Sequence, residues 1–218
     1  MAEYHFNIEQ HSAEWFEIKH GKIGGTRAKE LFIKSDTLFY KLLAEHTELF
    51  DEDFEEGFKS DQMERGNELE PQARIEFSKY TGYEFLECGW VQSNNQLLGI
   101  SPDGITADLT VQCEIKCPQA IAHLKMCVSN EIPLEYINQC VHAFTVNDKL
   151  EKLFFGSFRP ELKIKPIWIK ELNRNSLVNN GTIAKPKMVT IQELCNDSYC
   201  EAEILELQIK ETINKLNF

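Results

Sequence analysis

The sequence predicts a single domain of mixed α and β structure, taken over residues 1–218. Three stretches predict it. Val111 to Cys117 alternates apolar and polar residues with the period of two expected of a strand. Leu134 to Val146 repeats apolar residues at helical spacing, with Ile137, Val141 and Phe144 on one face. Lys152 to Phe158 and Ile164 to Glu171 read as two strands around the turn Arg159-Pro160-Glu161.

In chain order, Ser12 is placed to N-cap a short helix through Trp15, Ile18 and Lys19, which Gly21 ends. Gly24-Gly25-Thr26 reads as a turn, with Thr26 capping a second helix through Leu31 and Phe32. The acidic stretch Glu45 to Glu56 reads as a solvated helix face or loop. A third helix is predicted from about Asn67 to Tyr80, with Leu69, Ala73, Phe77 and Tyr80 on one face, Pro71 in its first turn and Gly82 at its end. Strands follow at Phe85 to Gln92, Leu98 to Ile100 and Thr110 to Cys117. A last helix, Glu201 to Leu216, carries Leu205, Ile209, Ile213 and Leu216 as its apolar stripe.

Composition excludes several classes. With 42% hydrophobic and 27% charged residues, the chain has the make-up of a soluble globular protein. No apolar run approaches the roughly 20 residues needed to cross a bilayer. The start MAEYHFNIEQ has no apolar signal core, so a cytoplasmic protein is expected. Seven cysteines without paired spacing point to reduced thiols rather than a disulfide framework. The net charge of −12 argues against a protein coated with nucleic acid, although it allows a local basic groove.

The stretch SPDGITADLTVQCEIKCP, residues 101–118, carries the chemistry. Ser101-Pro102-Asp103-Gly104 is a turn that can set a carboxylate at the end of the preceding strand. On the next strand Val111, Cys113, Ile115 and Cys117 face one way, and Gln112, Glu114 and Lys116 the other. A half-buried strand with a polar outer face gives the same alternation. If the turn leads into a hairpin with this strand, Asp103 and Glu114 converge with Lys116. Two carboxylates with a strand carbonyl between them suit a hard cation such as Mg²⁺. Such an ion lowers the pKa of a bound water, and the lysine can offset negative charge in a phosphoryl transition state.

This arrangement, Pro102-Asp103…Glu114-Ile115-Lys116, matches the PD-(D/E)xK nuclease pattern. Further blocks agree with it in order: WFEIKHGKIGGTRAKEL from Trp15, RGNELEPQARIEF from Arg65, EYINQCVHAFTV from Glu135 and FRPELKIKPIWIKEL from Phe158. Together they resemble the YqaJ-type viral recombinase nucleases, the lambda-exonuclease-like family, between Trp15 and about Leu172, a motif-bearing core of about residues 12–172. That leaves residues 173–218 as a C-terminal extension.

The resemblance implies a restriction-endonuclease-like core, a central mixed β-sheet flanked by helices. It implies that Asp103, Glu114 and the Ile115 backbone carbonyl hold metal, that Lys116 is the catalytic lysine, that Glu70 supports a second metal or its waters, and that Gln139 reaches into the site. It places the family's contacts to a terminal 5′-phosphate at Lys19, Thr26 and Ser101, with lysine at 19 where lambda-type relatives have arginine. The activity implied is a Mg²⁺-dependent exonuclease, with Mn²⁺ able to substitute and two ions per site. It would digest linear double-stranded DNA from 5′ ends and leave 3′ overhangs for a single-strand annealing protein. A ring-shaped homotrimer around DNA is implied too, its channel open to Lys19, Lys22 and Lys29, with phage or prophage origin. Two other classes share this core: a dimeric endonuclease or junction resolvase, and a non-catalytic DNA-binding module. Read without the resemblance, Glu70 is an exposed glutamate at a helix start, Gln139 a core-edge amide, Thr26 a plain cap and Trp15 a core anchor. His142 shares the Gln139 face, and Cys113 and Cys117 read as packing residues. Cys195 and Cys200 lack the tight spacing of an iron–sulfur nuclease.

Overall fold

A computed structural model describes residues 1–50 and 61–216. Its centre is a four-stranded mixed sheet in the order β4 (Gly104–Ile105), β5 (Val111–Lys116), β6 (Lys152–Phe158) and β7 (Ile167–Leu172). β5 pairs antiparallel with β4 and parallel with β6, and β6 pairs antiparallel with β7. The parallel step needs a long crossover. It is supplied by α5 (Ala120–Ser129) and α6 (Leu134–Val146).

Helices cover both faces of β5. Val111, Cys113 and Ile115 pack on one side with Ala73 and Phe77 of α4 (Asp61–Thr81) and with Phe154 and Phe158 of β6. On the other side Phe155 and Leu153 join Cys140, Val141 and Phe144 of α6 in the larger core. The alternative reading of β5 as a half-buried strand with a polar outer face therefore does not hold: Gln112 is 1% exposed and Glu114 3%. A strand sandwiched between helices has no wet face, so its alternating polar residues become a buried polar line.

A smaller antiparallel sheet joins β1 (Glu3–His5), β2 (Trp90–Gln92) and β3 (Gly99–Ile100). The strand predicted from Phe85 shrinks to β2. A Cβ on Gly89 would lie 2.1 Å from the Ile8 carbonyl oxygen, so the N-terminal segment crosses there in place of a ladder partner. Along the N-terminal layer run α1 (Ala13–Lys19), capped by the Ser12 hydroxyl and ended at Gly21 with φ +68, then α2 (Ala28–Phe32) and α3 (Asp36–Thr47). Thr26 does not cap α2: the cap position is Arg27, which makes no side-chain capping bond. The acidic stretch begins on α3, where Glu45 is not solvated but takes both ends of the Arg27 guanidinium at 2.7 and 2.5 Å and the Gly21 N–H at 3.1 Å. Its remainder, 51–56, lies outside the described residues.

Pro71 sits inside α4 rather than in its first turn. A proline there denies the residue 67 carbonyl its helical donor. Asn67 and Pro71 are both exposed, so water can serve that carbonyl. Tyr80, expected on the apolar face, is 67% exposed.

The C-terminal segment adds the hairpin β8 (Leu177–Asn179) and β9 (Met188–Thr190), then α7 (Ile191–Leu216), which begins ten residues before the predicted start. Val178, Ile191, Leu194, Leu205 and Ile209 enter the same core as α6. No described helix is long and apolar enough to cross a membrane.

Candidate active site

The site begins with sheet register. β4 and β5 pair Gly104 with Cys113 and Ile105 with Gln112. Continuing that antiparallel ladder by one residue sets Asp103 across from Glu114. The strand has ended there, and the Asp103 side chain takes over its role: Oδ2 accepts from the Ile115 N–H at 2.5 Å. The N–H and C=O of one strand residue point to the same edge. The Ile115 carbonyl thus faces the Asp103 edge, beyond the end of β4. Two residues along, Lys116 Nζ donates to Glu114 Oε1 at 2.5 Å and lies 5.3 Å from the centre of the Tyr136 ring of α6.

Glu70 comes from α4. Arg74, one turn further along, donates from Nη2 to Glu70 Oε1 at 2.9 Å and from Nε to the Asp103 carbonyl at 2.7 Å, and pairs through Nη1 with Glu87. Three carboxylates are thus gathered around one buried strand end. Burial is the main cause that raises the Asp103 carboxyl well above the ordinary aspartate range, and the charges of Glu114 and Glu70 add to it. Burial likewise raises Glu70, against the pull of Arg74. Burial disfavours charge on Lys116, but Glu114 and Asp103 outweigh it and push its pKa up, so its ammonium stays protonated.

Gln139 projects from α6 one turn beyond Tyr136. A Cβ on Gly25 would stand 3.1 Å from Gln139 Cγ and 3.3 Å from Nε2. The Gly24-Gly25 turn thus packs closely on this amide, and a side chain at 25 would have to push Gln139 aside by a few tenths of an ångström. Gln139 therefore borders that turn, and no hydrogen bond in the structure joins it to the three carboxylates. His142 is fully buried, with Nε2 at 3.0 Å from the Ile23 carbonyl and 2.9 Å from that of Gly99. It ties α6 to the edge of the small sheet, which is a structural role.

The three residues assigned to a terminal phosphate divide differently. Lys19 Nζ sits 3.2 Å from the centre of the Trp15 ring. The Trp15 indole N–H donates to Ser101 Oγ at 2.7 Å and to the Gly89 carbonyl at 3.0 Å, and the Ser101 hydroxyl donates to the same carbonyl at 2.7 Å. Lys19 and Ser101 are joined through Trp15, directly before the Pro102-Asp103 turn. Thr26 stands apart, in the turn that abuts Gln139.

Among the described residues no three His, Cys, Asp or Glu side chains already converge at metal-ligand distance. The donor set still fits a hard cation. Asp103 and Glu114 face each other across the ladder, on the side to which the Ile115 carbonyl points, and the Asp103 carboxyl is raised first by burial and then by the Glu114 and Glu70 charges, a cost that a divalent ion would relieve. A cleft of about 480 Å³ opens on the Glu70 and Arg74 side, against the N-terminal segment Asn7, Glu9 and Gln10, and neither Asp103 nor Glu114 lines it. Arg74 is the residue that sequence reasoning missed. Its one signal was its place four residues after Glu70, which on a helix also describes an ordinary surface ion pair.

Comparison with known proteins agrees with this architecture. The YqaJ-like viral recombinase domain is matched over residues 14–149, more than half of the chain. No curated protein matches. Crystal structures of LHK-Exo, an alkaline exonuclease from Laribacter hongkongensis, one of them in complex with dAMP, superpose with a TM-score of 0.70 at 23% identity, covering 94% of this chain and 98% of theirs. That likeness shows the fold, the restriction-endonuclease-like core with its central mixed sheet.

Proposed function

The chain belongs to the YqaJ-like viral recombinase family, and from that premise we propose that it is a metal-dependent exonuclease that digests linear double-stranded DNA. The observation that carries this reading is the strand end where Asp103, Glu114 and Lys116 are interlocked by the Ile115 N–H and the Lys116 ammonium. LHK-Exo has been seen with dAMP, a nucleoside monophosphate. A monophosphate is the product class expected when the cut leaves a 5′-phosphate on each released nucleotide.

Asp103, Glu114 and the Ile115 carbonyl would hold Mg²⁺ or Mn²⁺, and Glu70 would support a second ion or its waters. A bound ion supplies an acidified water and neutralises a phosphoryl oxygen. Lys116, protonated and held against Glu114, offsets the charge that grows on the phosphoryl group in the transition state. Tyr136 and Gln139 wall the side of the site toward the Gly25 turn. Lys19, stacked on Trp15, offers its charge to a terminal 5′-phosphate. The Ser101 hydroxyl already gives its hydrogen to Gly89, so it can serve a phosphate only by releasing that bond.

The proposal extends to 5′→3′ polarity, 3′ overhangs for a single-strand annealing partner, and a trimeric ring, all resting on the family. The test is digestion of end-labelled linear duplex with Mg²⁺, with 5′-phosphate and 5′-hydroxyl ends compared and closed circles alongside. Release of labelled mononucleotides from linear duplex alone supports the reading. Cutting of closed circles would favour the endonuclease alternative, and binding of duplex without any cleavage the non-catalytic one.

A further inference from the structure

We propose that Arg74 is a positioning residue of this site, and that its guanidinium stands where a second divalent ion would otherwise neutralise Glu70. The inference rests on the nuclease reading above and extends it to the number of ions the protein holds before DNA arrives.

Arg74 is 11% exposed and serves three partners from three parts of the chain. Nε holds the main-chain carbonyl of Asp103 at 2.7 Å, Nη2 holds Glu70 Oε1 at 2.9 Å, and Nη1 pairs with Glu87. A planar guanidinium can fix three acceptors in set directions, which a single ammonium cannot. The turn is tied a second time, by Gln10, whose Nε2 donates to the Pro102 carbonyl at 3.1 Å and to the Cys88 carbonyl at 3.1 Å. The Asp103 turn and the Glu70 helix are thereby locked as one body.

The same contacts divide the acidic cluster in two. Asp103 and Glu114 have Lys116 as their cation, bonded to a single Glu114 oxygen. Glu70 has its own cation in Arg74. The first divalent ion is therefore expected between Asp103, Glu114 and the Ile115 carbonyl. A second at Glu70 must displace the guanidinium or share the carboxylate with it.

Mn²⁺ binding to the metal-stripped, DNA-free full chain, counted by electron paramagnetic resonance, tests this in wild type, Arg74→Gln, Arg74→Lys and Asp103→Asn. Wild type should take one tight ion, absent in Asp103→Asn. Arg74→Gln should gain a second ion about tenfold or more tighter than the second of wild type, the factor carried by one lost charge-assisted contact. Arg74→Lys keeps the charge, so its ion count should match wild type. Its kcat on linear duplex should still fall about tenfold with KM little changed, because an ammonium cannot hold Glu70 and the Asp103 carbonyl together. A merely structural arginine would shift thermal stability and leave the ion count alone. An Arg74→Gln isotherm that superposes on wild type, or full kcat in Arg74→Lys, overturns the proposal. A tight ion that survives in Asp103→Asn overturns the metal-site reading itself, and this proposal with it.

Discussion

At the end of β5, Asp103, Glu114 and Lys116 are placed by a sheet register, with Asp103 accepting from the Ile115 N–H and Lys116 donating to Glu114. At the α1 corner, Lys19, Thr26 and Ser101 are placed by a seven-residue helix and turns, with Lys19 stacked on Trp15 and the Ser101 hydroxyl donating to the Gly89 carbonyl. The first group is buried, and burial together with the neighbouring carboxylates raises the Asp103 carboxyl. The second offers one positive charge on an indole face, one hydroxyl already in use, and one threonine outside the cluster. On the proposed function, the first group carries out the reaction. On the same reading, the second group holds a DNA end in register. Removing a member should therefore cost chemistry at β5 and selectivity at α1.

The largest effects belong to β5. Lys116→Ala and Asp103→Asn should each lower cleavage by about 10²–10³-fold or more, the scale of losing one transition-state charge partner. Their stabilities should diverge. A carboxyl whose folded pKa lies above its unfolded one contributes stability below the unfolded value, and that contribution is lost as pH rises through the folded value. Asp103 is such a group. Asp103→Asn should thus raise the melting temperature of the metal-free protein at neutral pH while removing activity. Lys116→Ala strips Glu114 of its partner and should lower it. Matching stability shifts in thermal melts, both downward, would contradict the reading of Asp103 as a carboxyl raised by burial and by its acidic neighbours.

Metal dependence follows next. Mg²⁺ and Mn²⁺ should support turnover, and Ca²⁺ should bind and inhibit, because its longer, looser coordination activates water less well. Metal affinity should weaken on acidification at a pH above the usual aspartate range, since protons compete for the raised Asp103 carboxyl. Turnover that survives EDTA would exclude the site as drawn.

The smallest effect is at α1. Lys19→Ala should slow digestion of 5′-phosphate ends about tenfold or more while sparing 5′-hydroxyl ends, as expected of one charge-assisted contact. Lys19→Arg should keep or sharpen the preference. Initial rates on both kinds of end decide it. Equal slowing of both in Lys19→Ala would make the lysine a backbone or scaffold contact.

Legibility in the sequence follows the same divide. β5, β6 and α6 were readable because their periodicity is local, and Leu134–Val146 and Lys152–Phe158 have the predicted bounds. The facing of Asp103 and Glu114 was readable because a turn followed by an alternating strand fixes a hairpin. β1, β4, β8 and β9 have two or three residues each, too few to show a period, and exist through partners distant in sequence. α3 and α5 went unread, and α5 leaves Ile121 and Val128 exposed at 74% and 86%, which blurs any amphipathic signal. Burial of Glu114 was hidden because strand alternation cannot tell a wet face from one covered by a helix. Arg74 was hidden because its role lies in the Asp103 carbonyl, 29 positions away.

The most direct test of the central claim is single-turnover cleavage of end-labelled linear duplex by purified Glu114→Gln beside wild type, with Mg²⁺ and with EDTA. Wild type should release labelled mononucleotides with Mg²⁺ only, and Glu114→Gln should bind the duplex and release none. Mg²⁺-dependent release by Glu114→Gln at a rate near that of wild type would remove Glu114, and the strand end it anchors, from the chemistry.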